Sequence, residues 1–540
     1  MGTVIFSRAC MLAMVLALAA CGGGGGGGGG GDSNVGISAG VGGNTTSAPA
    51  ADPVALAAPA VVVHGVATFD FVPNAANGRL DYAAITAKPV RGAAVELIGV
   101  DGAVLASGAT TDTGSYSLSV PVNTQVQLRV RTQMLRSDAV RWDFTVRDNT
   151  ASEAIYAIVS STFSSGSAAA LQRDINAPSG WNGAGYEAVR PAGPFALLDT
   201  VYTNAMKVVA VAPTISFPAL RVFWSPANIG ASGNRTLGQI GTTSFLDSGN
   251  GTRSIYVLGK ADIDTDEYDA SVVSHEWGHY YQSAFSRDDS PGGAHGEADL
   301  LDRRLAFSEG WGNAWSGIAL ARSTYTDAVG AAQQIGYSLD LSTGPQSNRG
   351  WFRETSIQAI FWNLERITGF GPIHAAMTGP LKSGLPVTSI HPFAAAYAAA
   401  TPSQSGALAS LLQGQSISAS TTDPWGDSET NTGGVPLALP LYQQASRQAC
   451  VTNQAGQGNK LGRFAYVRFT LTSAGNHRIT VTGPGSTDPD FEIYQAGRIA
   501  GSYGGAPGTE DVLLGLPAGE SVLVIYDANA TASCFTVSII

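Results

Sequence analysis

The first apolar run of the chain, MLAMVLALAA, follows Arg8 and ends just before Cys21. It is too short and too close to the terminus for an ordinary membrane span, and it reads as the core of a signal segment, residues 1–20. Residues 21–57 are Gly, then Ser, Thr, Ala and Pro without apolar periodicity, the pattern of a flexible tether. From 58 to 150, short alternating runs are broken by turns. VELIGVDGAVLASG predicts two strands about Asp101-Gly102, and TDTGSYSLSV and VQLRVR add more, together a β-sandwich. The period changes at PFALLDTVYTNAMKVVAVA, where Phe195, Leu198, Val201, Tyr202, Ala205, Val208 and Val209 recur at helical spacing. Strands at ALRVFW and SIYVLG follow, then a polar loop and a Pro-free helical stretch from Asp269 to Phe285. Between 441 and 540, FAYVRFTLT, HRITVTG, FEIYQAG and SVLVIYD alternate again. The pattern predicts a multidomain protein: an α+β domain at 151–440 flanked by two β-sandwich domains.

Composition fits that division. A chain of 540 residues exceeds one core, and 13% charged residues with 67 glycines suits a β-rich exported protein. The net charge of −11, with no long basic run, argues against nucleic acid and against anionic lipid held by a basic surface. Leu18-Ala19-Ala20-Cys21 resembles a bacterial lipobox. The resemblance implies that Cys21 is lipidated, becomes the mature N-terminus and anchors the protein to the cell envelope. The Gly after it points to the outer membrane. Of four cysteines, Cys10 leaves with the signal and Cys21 takes lipid. Cys450 and Cys534 remain as an even pair in an oxidising compartment, which predicts a disulfide.

The chemistry concentrates in HEWGH, His275 to His279. Two His four residues apart share one helix face and can share one metal ion, and Glu276 stands beside the first as a general base. Zinc then wants a third protein ligand and an open position. The spacing rules out HExxHxxGxxH, because Gln282 and Phe285 occupy the Gly and third His positions. LAFSEGWGNAWSGIAL predicts a following helix, and Glu309 in it is the expected third ligand. Small residues around it (Ser308, Gly310, Gly312) allow close helix approach. His295, Glu297, Asp299 and Asp302 are its rivals.

DTDEYDASVVSHEWGHYYQ together with AFSEGWGNAWSG resembles the gluzincin metallopeptidases, thermolysin-like and fungalysin-like in outline, and more closely bacterial HExxH lipoproteins of that clan. The resemblance covers mainly residues 260–320. It implies a zincin-like fold for the middle domain and a zinc-dependent endopeptidase acting on protein or peptide. His275, His279 and Glu309 would hold one Zn²⁺, with Glu276 as base. Where gluzincins carry an Asp four residues after the ligand Glu, this chain has Asn313, which can still accept a bond from a zinc His but brings no charge. KPVRGAAVELIGVDGAVLASGATTDTGSYSLSVP resembles carboxypeptidase regulatory-like (transthyretin-type) domains. RFAYVRFTLTSAGNHRITVTGPGSTDPDFEIY is similar to pre-peptidase C-terminal domains.

Weaker features remain. SIYVLG is expected as the sheet edge that pairs with substrate. ADIDTDEYD carries five acids in nine residues, read either as a Ca²⁺ loop lacking the sixth-position Gly or, more simply, as an acid-rich helix start. His374, His391, Tyr337 and Tyr397 are candidates to stabilise an oxyanion, and Arg353 and Glu354 face either the cleft or water. The alternative reading of the whole chain is a catalytically inactive surface binding or adhesion lipoprotein.

Overall fold

The computed structural model of the protein describes residues 59–430, 441–445 and 448–540. The expected signal segment 1–20, the lipidation site Cys21 and the tether 21–57 lie outside the described residues. The chain is multidomain and rich in β-sandwich sheets, with a smaller helical part.

The N-terminal sandwich is organised by one long strand, Ala60–Phe71, whose alternate residues are buried. It pairs antiparallel with Ser115–Pro121 and Thr86–Pro89, and parallel with Ala170–Gln172 and Ile175–Ala177. In the second sheet Ala94–Gly99 lies between Val104–Ala109 and Gln125–Arg131. Val63, Phe69, Val95, Leu97, Leu118 and Leu128 fill the core.

The expected division at residue 150 cuts through three sheets. Strands beyond it complete the first sandwich, whereas Gln133–Ser137 and Arg141–Asp148 leave for the middle sheet. Period-2 alternation marks a strand but does not name its partner, which packing chooses.

The middle sheet runs in the order Ser244–Asp247, Arg253–Val257, Leu220–Trp224, Arg141–Asp148, Gln133–Ser137. Its three inner strands are parallel and both outer strands antiparallel. SIYVLG is therefore interior, and the edge is Ser244–Asp247. The Gly-rich turn at 248–252 folds that strand back along its neighbour, with Ser248 N–H donating to the Thr252 carbonyl.

Helices α1 (Ala192–Val209) and α2 (Ala270–Phe285) pack on this sheet. Helices α3 (Arg303–Leu320) and α4 (Glu354–Thr368) stack outward from α2. Glycines set the spacing: a Cβ on Gly312 would stand 2.8 Å from Cε1 of His275, and one on Gly310 would stand 2.4 Å from Cβ of Ile357 in α4. Trp277 of α2 stacks on Trp315 of α3 with ring centroids 5.3 Å apart, both fully buried. Truncating either Trp to Ala costs about 3–5 kcal/mol by the usual scale of large-to-small core changes.

The C-terminal unit is two sheets around Val467, Ile479, Phe491, Ile493, Leu523 and Phe535. Cys450 and Cys534 face each other across paired strands and form a disulfide. Among the described residues no helix is long and apolar enough to cross a membrane.

Candidate metal centre

Helices α2 and α3 bring three side chains together. His275 Nε2 lies 3.1 Å from Glu309 Oε2, His279 Nε2 lies 3.6 Å from the same oxygen, and the two Nε2 atoms are 3.1 Å apart. All three residues are buried, Glu309 with 1% of its surface exposed.

Hydrogen bonds on the far nitrogens orient the rings. His275 Nδ1 lies 2.9 Å from Asn313 Oδ1, an acceptor, so that nitrogen carries the proton. His279 Nδ1 lies 3.2 Å from Ser308 Oγ, which itself donates to Asp288 Oδ2 at 2.7 Å. Both Nε2 lone pairs then point at each other and at a carboxylate oxygen. Such a group is stable only with a proton or a cation among its members. Burial lowers the His279 pKa, but the charge and hydrogen bond of Glu309 together with the charges of Glu276 and Asp288 outweigh it, and the imidazole is pushed up to about 9. Burial raises the Glu309 carboxyl, yet His295, His279 and the imidazole hydrogen bonds overcome this and hold it below the usual range.

The donor set fits zinc. Two imidazole nitrogens and one carboxylate oxygen are borderline ligands, and atoms about 2.0–2.1 Å from a tetrahedral ion stand about 3.3 Å apart. The observed spacings of 3.1, 3.1 and 3.6 Å bracket that value.

Glu276 is fully buried, and its Oε2 accepts the backbone N–H of Phe245 at 2.7 Å. Phe245 belongs to the edge strand, so the sheet fixes this carboxylate directly.

The rival ligands have separate fates. His295 reaches the group from outside, its Nε2 3.5 Å from Glu309 Oε2 and 3.4 Å from Glu354 Oε2. Asp302 accepts the Arg304 N–H at the start of α3 and the Tyr466 hydroxyl at 2.5 Å. Asp299 pairs with Lys460 at 3.2 Å. Glu297 gives its carbonyl to Arg353.

Of the candidates to stabilise an oxyanion, His374 is bonded to the Tyr281 hydroxyl at 2.8 Å and His391 to Glu429 at 3.1 Å. Tyr397 donates to Thr368 and Gln404, and Tyr337 stacks edge-on to Tyr325. The structure brings none of the four into the metal group. Ser308, Asp288, Phe245 and Glu354 are what the sequence did not single out as partners. Only Glu354 left a signal, as an acid at the start of an amphipathic helix.

Residues 286–302 carry His295 over the group and have no helix or strand. The C-terminal unit holds them: Asn459 Nδ2 donates to the Gly292 carbonyl and Lys460 Nζ to the Ala294 carbonyl, both at 2.8 Å.

No family model and no curated protein matches the chain. Among solved structures, the pre-peptidase C-terminal domain of a collagenase from Bacillus anthracis matches over its whole length and 19% of this chain, at 11% identity and a TM-score of 0.15. A family 35 carbohydrate binding module from an environmental isolate matches over 84% of its length and 17% of this chain, at 14% identity and a TM-score of 0.13. A periplasmic inhibitor of g-type lysozyme from Aeromonas hydrophila matches over 78% of its length and 14% of this chain, at 20% identity and a TM-score of 0.11. Scores this low carry no argument about fold or activity, which rests on the chain's own geometry.

Proposed function

We propose that the chain is a zinc-dependent peptidase of gluzincin type, working at the cell envelope through a lipid anchor at Cys21. The observation that carries this reading is the convergence of His275 Nε2, His279 Nε2 and Glu309 Oε2 beside the buried carboxylate of Glu276. His275, His279 and Glu309 would hold the ion, which when bound supplies Lewis-acid polarisation of a carbonyl and makes water nucleophilic near neutral pH.

The remaining work belongs to the protein. Glu276, oriented by the Phe245 N–H, takes the proton of the attacking water and returns it to the leaving amine. Asn313 and Ser308 keep both imidazoles turned with Nε2 inward. His295 stands beside Glu309, where its N–H can meet developing negative charge on a substrate oxygen. Every ligand side chain is buried and His295 lies against Glu309, so substrate entry requires the segment 286–302 that carries it to move.

That burial favours one second reading, a zinc-holding surface protein without activity. Comparison of the purified protein with Glu276→Gln at equal zinc content separates the two. Cleavage of an unfolded protein substrate that the substitution abolishes supports the peptidase; zinc without cleavage in either protein supports the silent form. Wild type that binds no zinc overturns both.

A further inference from the structure

A second group of convergent acids lies upstream of α2. Asp264, on the strand Asp264–Thr265, Asp266 just after it and Asp327, on the strand Thr324–Val329, each place a carboxylate oxygen within 4.8 Å of the others. This is not an EF-hand loop, since the third acid comes from another strand some sixty residues on, brought in by the pairing of Asp264 with Val329.

Two further observations point to a ligand. The Oδ1 atoms of Asp264 and Asp327 are buried and accept no hydrogen bond. Asp269, with none of its surface exposed, stands outside that group of three but close enough that, after burial, the charges of Asp327 and Asp264 raise its pKa. It stands at the N-cap of α2 yet makes no capping bond. Its Oδ1 accepts from Asn74 Nδ2 at 2.6 Å, while its buried Oδ2 has no partner among the described residues. Asp327 is its strongest charged neighbour, followed by Asp264.

No Lys, Arg or His among the described residues forms an ion pair with any of the four. Arg322, whose charge interacts with that of Asp269, gives its Nη2 to Ser271 and Thr326 instead. Buried carboxylates crowded together without a directly paired cation are costly. Burial, then mutual repulsion, pushes Asp264 up to about 7, and burial pushes Asp327 to about 6.

We propose that Asp264, Asp266 and Asp327, backed by Asp269, bind one divalent cation of the calcium class. The donors are all oxygen, with no imidazole or thiolate, which selects a hard ion over zinc. Oxygens held at about 2.4 Å from an ion stand at most about 4.8 Å apart, the limit within which these three fall.

The cation would tie the strand Thr324–Val329 to the start of α2. It would also steady the edge strand, because Asp266 Oδ2 accepts the Thr243 hydroxyl, whose oxygen in turn receives the Leu258 N–H at 2.9 Å. Thr243 lies two residues before Phe245, the residue that holds Glu276. The assignment does not depend on what the histidines do.

Calorimetric titration of CaCl₂ into calcium-free, zinc-loaded protein tests it. Wild type is expected to take up one Ca²⁺ per chain, with Tm rising by about 5 °C at saturation. Asp266→Asn with Asp327→Asn is expected to lose both responses while keeping its circular dichroism and zinc content. Should the double variant fail to fold, Asp327→Asn alone is expected to weaken calcium uptake at least tenfold. Wild type that takes up no Ca²⁺, or variants that take up as much as wild type, would overturn the proposal.

Discussion

The histidine group and the aspartate group lie on either side of the start of α2 and draw on one stretch of chain, residues 264–279. Each joins two side chains of that stretch to a third from a distant element, yet they suit opposite work. A divalent ion held by two neutral imidazoles and one carboxylate keeps net positive charge and remains a Lewis acid. The same charge among three or four carboxylates is over-neutralised, so it can brace a fold but polarises little. Donor type and charge count, rather than burial, separate a reactive centre from a structural one. Tyr325 lies between the two groups: its ring centroid is 6.3 Å from that of His275, and its hydroxyl feels Asp327, Glu276 and Asp266 in turn.

The largest expected effect is on chemistry. Glu276→Gln should lower hydrolysis by about 10²–10⁴-fold with zinc and calcium contents unchanged, measured as initial rates beside metal analysis. Glu309→Ala should lower zinc content sharply and leave calcium uptake intact, while the aspartate double variant does the reverse; a metal assay crossing the two breaks the comparison if either substitution moves both ions.

Next in size is Gly312→Ala. Its new Cβ meets the His275 ring at 2.8 Å, a contact real side chains do not make. Zinc affinity should fall about 10–100-fold and stability by about 1–3 kcal/mol, read by competition with a zinc chelator and by thermal melts.

The pH dependence is smaller and has a definite sign. Asp264 and Asp327 are held up to about 7 and about 6 by burial, above their unfolded value of 3.8. The folded state therefore binds protons that the unfolded chain releases. That stability is complete below the unfolded pKa and is lost as pH rises through the folded values. Calcium-free protein should melt at higher temperature as pH falls from about 8 to about 5, and saturating calcium should flatten the slope. The smallest effect expected is Asn313→Asp, which adds charge behind His275 and should strengthen zinc binding several-fold.

Much of this was legible in the chain. Four-residue spacing puts His275 and His279 on one helix face wherever that helix goes, because helical geometry is local. The small residues about Glu309 announced a close helix contact, and the even cysteine pair left after Cys10 and Cys21 announced the disulfide. Sheet partners were not legible: Arg141–Asp148 alternates like its neighbours but joins Leu220–Trp224, since alternation is the same for every strand and only packing selects a mate. For the same reason SIYVLG looked like an edge.

The acids of ADIDTDEYD fitted an acid-rich helix start by local rules, and nothing along the chain linked them to Asp327. The sequence by itself determined the donor types and their local spacing, properties of covalent order and helix pitch. Only the tertiary structure decided which distant groups meet, where Glu354 and His295 stand and what the C-terminal unit holds in place. Those are long-range contacts, set by which surfaces bury together rather than by the residues beside them.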